Sequence, residues 1–382
     1  MADPTGATGA ISREKHAGPD RRGSPPRQRD KSAPSRYGLP VRTVDNPPQR
    51  FHSCYVEWLE EPPPAKLRVH EETTTRTILA KNDSPDIPFT YSLNPYRGCT
   101  HACAYCYARP SHEYLDFGAG TDFDTQVVVK LNAAEILRKT LEKRSWEGDL
   151  IAFSGDTDCY QPLESHYGIT RACLEVCRDY ENPVGIVTKS HLITRDVDLL
   201  AELAERCDLT VYFSIAFDDP VTSRVIEPGA PRPSKRLEAM KTLADAGVPV
   251  AVLFAPIIPG LNEEAIPRVL EAAAEAGATE ASRILLRLPG PVAEIFLKRV
   301  QAGLPPERAA RIESRIRELR GGGLNETRFG KRFQGIGPYW QAIEQLFELH
   351  RTKAGLNRGR RTKPEPRGRR PRPGDQLGLF DG

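Results

Sequence analysis

Along the middle of the chain, short apolar or β-branched runs alternate with longer stretches whose apolar residues recur every third or fourth position. The runs are DLIAFSG (Asp149–Gly155), PVGIVTKS (Pro183–Ser190), LTVYFSIAF (Leu209–Phe217), VPVAVLFAP (Val248–Pro256) and ASRILLRLPG (Ala281–Gly290). Runs of this kind predict buried strands, and the periodic stretches between them predict amphipathic helices. Two of those helices end alike: EAMKTLADAG and LEAAAEAG place Gly247 and Gly277 at the helix C-terminus, just before the next strand. Repeated βα units build a parallel sheet with helices outside it. With a further strand near Phe89–Leu93 the count reaches six, which predicts an α/β fold in the form of an open, partial (β/α)6 barrel. A doubly wound open sheet is the alternative. Two more helices, near Pro305–Arg320 and Pro338–Arg351, are expected to pack on this body, joined through Gly321–Gly323.

Composition adds two tails. The chain has 382 residues, 39% of them hydrophobic, enough for one or two domains with a substantial core. Its net charge of +3 hides basic ends around an ordinary centre. Residues 1–48 are rich in Arg, Pro, Gly and Ser and are expected to be disordered, because they bury too little surface to offset the entropy of ordering. Residues 355–382 begin with a stretch of eight Arg or Lys and one acid (Gly355–Pro373), read as a cationic tether suited to phosphate as well as to solubility. The expected organisation is a tail (1–48), an N-terminal extension (49–84), the barrel (85–290), a helical extension (291–354) and a second tail (355–382). Neither a charged-then-apolar leader nor a membrane-length apolar run stands out, so a cytoplasmic protein is expected. In that reducing compartment its eight cysteines are ligands, reactive thiols or core residues rather than disulfides.

Every predicted strand ends in polar or conformationally special residues, and in parallel βα folds that rim carries the chemistry. The first such loop, NPYRGCTHACAYCY, holds Cys99, Cys103 and Cys106 as C-x3-C-x2-C. Structural zinc calls for four ligands. Three thiolates in one loop suit a soft metal site such as an iron–sulfur cubane with one iron left open.

With an aromatic, Tyr105, before the last cysteine, this motif resembles the signature of the radical SAM superfamily. RGCTHACAYCY, TKS, YFSIAF, IEPGAPRPSKRLEA and APIIPG together resemble its spore photoproduct lyase-like branch, over roughly Thr90–Leu288. DSPDIPFTYSLNPYRGC, YARPSHEYL and TDCYQPLE resemble a largely uncharacterised bacterial subgroup of that branch. The resemblance implies a radical SAM barrel in which Cys99, Cys103 and Cys106 ligate a [4Fe-4S] cluster. It also implies that Tyr105 contacts the adenine of S-adenosylmethionine (SAM). Ser154, Gly155 and Asp156 would face its amino group, and Lys189, Ser190 and Ser214 its carboxylate or ribose. The reduced cluster would cleave SAM and yield a 5′-deoxyadenosyl radical.

The lyase carries a hydrogen-donating cysteine where this chain has Gly155; Cys159 lies four residues on, beside Tyr160. Either Cys159, or Tyr160, has become the donor, or the reaction differs from thymine-dimer cleavage, and the second reading is preferred. Cys173 and Cys177 share a helix face and are candidates for a second metal or for core packing; Cys54 and Cys207 carry no partner signal. His112, Glu113 and Tyr114 are candidates for substrate contact or capping, and Arg109 and Arg287 for an anionic substrate. QLGLF, Gln376–Phe380, resembles the peptide with which bacterial repair proteins dock on the DNA sliding clamp. The expected function is radical chemistry on nucleic acid, in DNA repair or modification, with electrons from a flavodoxin or ferredoxin. A peptide, tRNA or small metabolite as substrate, and a non-catalytic iron–sulfur redox sensor, are the alternatives.

Overall fold

The computed structural model describes residues 43–51 and 61–357. Its strands are β1 (Arg68–Glu72), β2 (Leu79–Lys81), β3 (Tyr91–Leu93), β4 (Tyr96–Arg97), β5 (Gln126–Lys130), β6 (Ile151–Phe153), β7 (Val184–Thr188), β8 (Leu209–Ser214), β9 (Val250–Ile257) and β10 (Glu280–Leu285). The main sheet has the order β10-β9-β8-β7-β6-β3-β2. Six of its strands, β3 and β6 to β10, pair in parallel, each predicted run supplying one, and β2 closes one edge antiparallel to β3. The sheet does not close on itself: β2 and β10 remain its two ends, so the fold is the partial (β/α)6 barrel.

The crossover helices, Ile169–Asp179, Val197–Arg206, Pro233–Asp245 and Ile266–Glu275, cover the outer face. Leu199, Leu200 and Leu203 on one, and Ile266, Val269, Leu270 and Ala273 on another, join Ile186, Val211, Phe213, Val252 and Phe254 of the strands in one core. Each such side chain, taken out of water, contributes about 1.5–3 kcal/mol. Gly247 and Gly277 end their helices with φ of +82° and +92°. There the next amide reaches back to the helix carbonyls, Val248 N–H to Leu243 O at 3.0 Å and Ala278 N–H to Ala273 O at 2.9 Å. Both expected C-terminal helices are present, as Pro306–Leu319 and Gly337–Lys353, and a third, Val292–Gly303, precedes them.

Two features depart from the sequence reading. A second, three-stranded sheet, β1-β5-β4, is made by residues far apart in the chain, β5 pairing in parallel with β1 and antiparallel with β4. And Thr43–Pro48, assigned by composition to the tail, lie along the body. Asp45 exchanges backbone and hydroxyl hydrogen bonds with Thr121 at 3.0 Å, and Asn46 Oδ1 accepts from Asp122 N–H at 3.2 Å. A boundary at residue 84 would also cut between the paired strands β2 and β3. The remaining tail segments, with Cys54 and Gln376–Phe380, lie outside the described residues. Among the described residues no helix is long and apolar enough to cross a membrane.

Candidate active site

Strand β4 runs into the cysteine loop, which is pinned from several sides. Cys99 N–H donates to Phe123 O at 2.9 Å. The buried Gln161 side chain accepts from Thr100 N–H and donates to Gly98 O, both at 3.1 Å. From the far side of the barrel, Ile226 O accepts from Ala104 N–H at 2.9 Å and Gly229 N–H donates to His101 O at 3.0 Å. Arg109, expected to greet an anionic substrate, is instead fully buried beneath the loop. Its donors go to Cys103 O, Ala119 O, Gly120 O and the Asp124 carboxylate at 2.7–3.1 Å, so no donor direction is left for a ligand. That reassigns Arg109 from binding to scaffolding.

The three thiols are free; Cys99 and Cys103 are buried and Cys106 is half-buried. Burial pushes all three thiols up, Cys103 to about 12 although Lys189 pulls it down. The Cys99 thiol feels both Cys103 and Cys106, and the Cys106 thiol feels Lys189 and Asp156. Contacts of Lys189 with the Tyr105 ring and of Gly155 O with the Tyr107 hydroxyl bring the end of β7 and the loop after β6 to the two neighbours of Cys106. Thiols held dry and protonated in this way become ligands when a cation that binds sulfur offsets the cost of ionising them. Among the described residues no group of three His, Cys, Asp or Glu side chains is drawn in tightly enough for a single metal ion. Three free thiols on one looped segment are the donor set that would hold an iron–sulfur cluster with one iron left open.

Around this loop the strand ends hold a polar ring. Asp158 accepts from Thr188 Oγ1 at 2.8 Å and Lys189 N–H at 2.7 Å and pairs with His101 Nδ1 at 3.3 Å. Burial alone would raise its carboxyl; His101 and these donors outweigh that and hold it at about 2. Lys189 lies 5.7 Å from the centre of the Tyr105 ring. Burial opposes its charge, but Cys103, Glu227 and Asp158 raise its pKa. The Tyr105 hydroxyl donates to Glu227, which also forms a buried ion pair with Arg236. Arg236 in turn donates to Ser214 O at 2.9 Å at the end of β8.

Of the remaining expected contacts, Ser154 takes a positive φ of +75° and its hydroxyl accepts from Cys159 N–H at 3.1 Å. Gly155 O accepts from the Tyr107 hydroxyl at 2.5 Å, and Asp156 N–H donates to Asn94 Oδ1 at 2.9 Å. Burial raises the Asp156 carboxyl, against the pull of Arg97 and Lys130. Ser190 caps the helical turn His191–Asp196 by accepting from Leu192 N–H, and the Ser214 hydroxyl donates to Ala255 O at 3.1 Å.

Cys159 and Tyr160 require a correction. Both are fully buried in the main core, with Tyr96, Cys173 and Cys177, whereas Cys103 and Tyr105 belong to a separate apolar cluster at the mouth. The Tyr160 hydroxyl donates to Asp196 at 3.1 Å. Neither residue lines the site, and burial pushes both groups well above their usual range. Cys173, Cys177 and Cys207 are core residues too. His112 donates from Nε2 to Gln126 O at 2.8 Å, Glu113 pairs with Arg50 at 2.9 Å, and Tyr114 is exposed beside Phe51, so these three serve local packing. Sequence reasoning missed His101, Asp158, Gln161, Glu227 and Arg236. The signal available for two of them was the pairing of opposite charges nine residues apart in IEPGAPRPSKR.

The family model of the radical SAM superfamily matches residues 93–273. An uncharacterised protein of Mycobacterium tuberculosis is 40% identical over 255 residues, 66% of this chain and 74% of its own length. The chain belongs to the radical SAM superfamily. An uncharacterised Methanocaldococcus jannaschii protein is 33% identical over 171 residues, 45% of this chain and 61% of its own. Among solved structures, a spore photoproduct lyase variant with bound AdoMet and dinucleoside spore photoproduct superposes with a TM-score of 0.53 at 17% identity, covering 75% of this chain and 79% of that one. A second lyase variant gives 0.54 at 16% identity, covering 75% and 80%. These two show a shared fold. Radical SAM proteins bind a [4Fe-4S] cluster and SAM, and this chain is accordingly an enzyme of the radical SAM class.

Proposed function

We propose that Cys99, Cys103 and Cys106 ligate the [4Fe-4S] cluster and that the adjoining rim binds SAM for radical chemistry on nucleic acid. The observation that carries this reading is the meeting of three free thiols on one pinned loop with two other strand ends, Lys189 against Tyr105 and Gly155 against Tyr107. Held by these residues, a reduced cluster would supply one electron to cleave the SAM sulfonium into methionine and a 5′-deoxyadenosyl radical, the hydrogen-abstracting species. The chain's own residues prepare for this. Lys189 offers a cation to the SAM carboxylate, Asp156 and the Ser154–Gly155 backbone offer acceptors to its ammonium, and the Tyr105 ring offers a face to adenine. The Glu227–Arg236 pair fixes the Tyr105 hydroxyl and hence the ring's orientation.

The lyase fold, solved with a dinucleoside photoproduct, and the cationic C-terminal sequence support a nucleic-acid target. With Gly155 at the position of the lyase's donor and Cys159 in the core, a reaction other than thymine-dimer cleavage is favoured. A flavodoxin or ferredoxin as reductant, cytoplasmic residence and sliding-clamp recruitment through Gln376–Phe380 complete the reading. The test is anaerobic reconstitution with iron and sulfide, reduction with dithionite and chromatography for 5′-deoxyadenosine after adding SAM. Production that disappears in Cys103→Ala supports the assignment. A fully formed cluster that leaves SAM intact, with and without damaged or modified DNA and RNA, favours the redox-sensor alternative.

A further inference from the structure

Arg287 sits two residues beyond β10, at the same mouth as the cysteine loop. Its guanidinium carbon lies 5.3 Å from the Phe333 ring centre and 5.9 Å from that of Tyr107, the residue after Cys106. The neighbouring arginines both have partners in the protein. Arg332 pairs with Asp86 at 2.7 Å and reaches Ser84. Arg320 donates to the carbonyls of Leu286, Lys331, Arg332 and Gln334 at 2.8–3.4 Å, which fixes the loop that carries Phe333. Asp86, whose charge Arg287 feels, pairs with Arg332 and accepts from Gly330 N–H at 2.7 Å rather than bonding Arg287.

Among the described residues no hydrogen bond or ion pair engages Arg287, and its Nε is buried without a partner. Arg287 is half-buried, and even partial burial of a cation beside a second cation, with no anion of its own, has a cost. The cost is recovered when a ligand brings the anion. A planar fork held between aromatic faces matches the geometry of phosphate oxygens. Tyr107 is half-exposed, with its hydroxyl anchored on Gly155 O, and so offers a fixed ring face for a base next to that phosphate.

We propose that Arg287 is the phosphate-binding residue of the substrate site, holding a phosphodiester of a single-stranded or extruded nucleotide whose base stacks on Tyr107. This rests on the nucleic-acid reading above. The test uses the full-length, reconstituted protein and a fluorescently labelled single-stranded DNA oligonucleotide, its anisotropy titrated across salt concentrations. Arg287→Ala is expected to bind roughly tenfold more weakly, as for loss of one charge-assisted contact. Its slope of log affinity against log salt should fall by about 0.7, one phosphate contact fewer. Arg287→Lys should keep the slope, and SAM binding, which also reports folding, should be unchanged in both variants. Wild-type protein that binds no oligonucleotide overturns the nucleic-acid reading and this site with it. Wild-type binding that Arg287→Ala leaves untouched overturns the site alone. Loss of SAM binding in a folded Arg287→Ala variant also overturns it, by assigning Arg287 to the SAM carboxylate.

Discussion

Asp158 and Cys159 are neighbours with opposite fates: the carboxylate reads the mouth of the barrel and the thiol is sealed in the core. Motif spacing marks the segment TDCYQPLE but not the face to which each member points. The same limit applies to Arg109 and Glu227, whose charges are drawn inward by partners that only folding brings around them, Asp124 for the one and Arg236 and Tyr105 for the other, whereas the C-x3-C-x2-C set is legible because its members share one loop. Two predictions belong to single residues. His112 is buried, and burial lowers its pKa to about 4, against the opposing pull of its bond to Gln126 O. The unfolded chain takes up that proton near the ordinary value of about 6.5. The contribution of neutral His112 is therefore complete above about 6.5 and is lost as pH falls from there through 4, amounting to about 3 kcal/mol. Urea unfolding between pH 7 and 4 should show a steeper loss of stability in the wild type than in His112→Gln; parallel slopes would refute it. Glu227→Gln breaks a buried ion pair and strands Arg236, which should cost about 3–5 kcal/mol in the same assay. A loss under 1 kcal/mol would mean that the pair does not hold the Tyr105 side of the site.

Among elements, the six parallel strands were readable because strands covered on both faces are continuous apolar runs. Strand β5 is just as apolar, yet its pairing with β1 joins residues too far apart in sequence for a local pattern to reveal. IEPGAPRPSKRLEA stands out in the sequence, but its work, with that of the helix leading into it, is visible only in three dimensions. Asp219 caps the helix Pro220–Ile226 by accepting from Val221 N–H at 3.0 Å and Thr222 N–H at 2.8 Å. The chain then turns through Gly229 against the cysteine loop, where a Cβ would stand 2.1 Å from Thr100 O, a backbone atom with no flexible end to yield. Gly229→Ala is thus expected to displace the loop while leaving the barrel folded. Iron and sulfide bound after reconstitution should fall several-fold with little change in melting temperature. Full iron incorporation in Gly229→Ala would show that the clamp is dispensable.

For the molecule as a whole, the cysteine loop and the barrel core are separate bodies of apolar contact. The core runs through β3 to β10 and their helices, while Cys103 and Tyr105 pack with Ile226, Phe296 and Ile312, and Cys99 packs with Phe123. The barrel is also open, so its mouth is not locked by a closing strand. Local opening free energies follow such divisions, the least where buried apolar contact is sparse. Removing iron with a chelator should then loosen one region rather than unfold the chain. Amide exchange should quicken across residues 98–108 and 226–230, which are joined by the Ala104–Ile226 and Gly229–His101 hydrogen bonds, and stay slow in β7, β8 and β9. Global unfolding on chelation, read by loss of the far-ultraviolet helical signal, would overturn this division, because the core would then depend on the loop. Unchanged exchange at 98–108 would argue instead that the protein pins of Arg109, Gln161 and the 226–230 turn suffice alone. In that case the loop is preorganised for its ligands before any metal arrives, and iron binding would add little to folding stability.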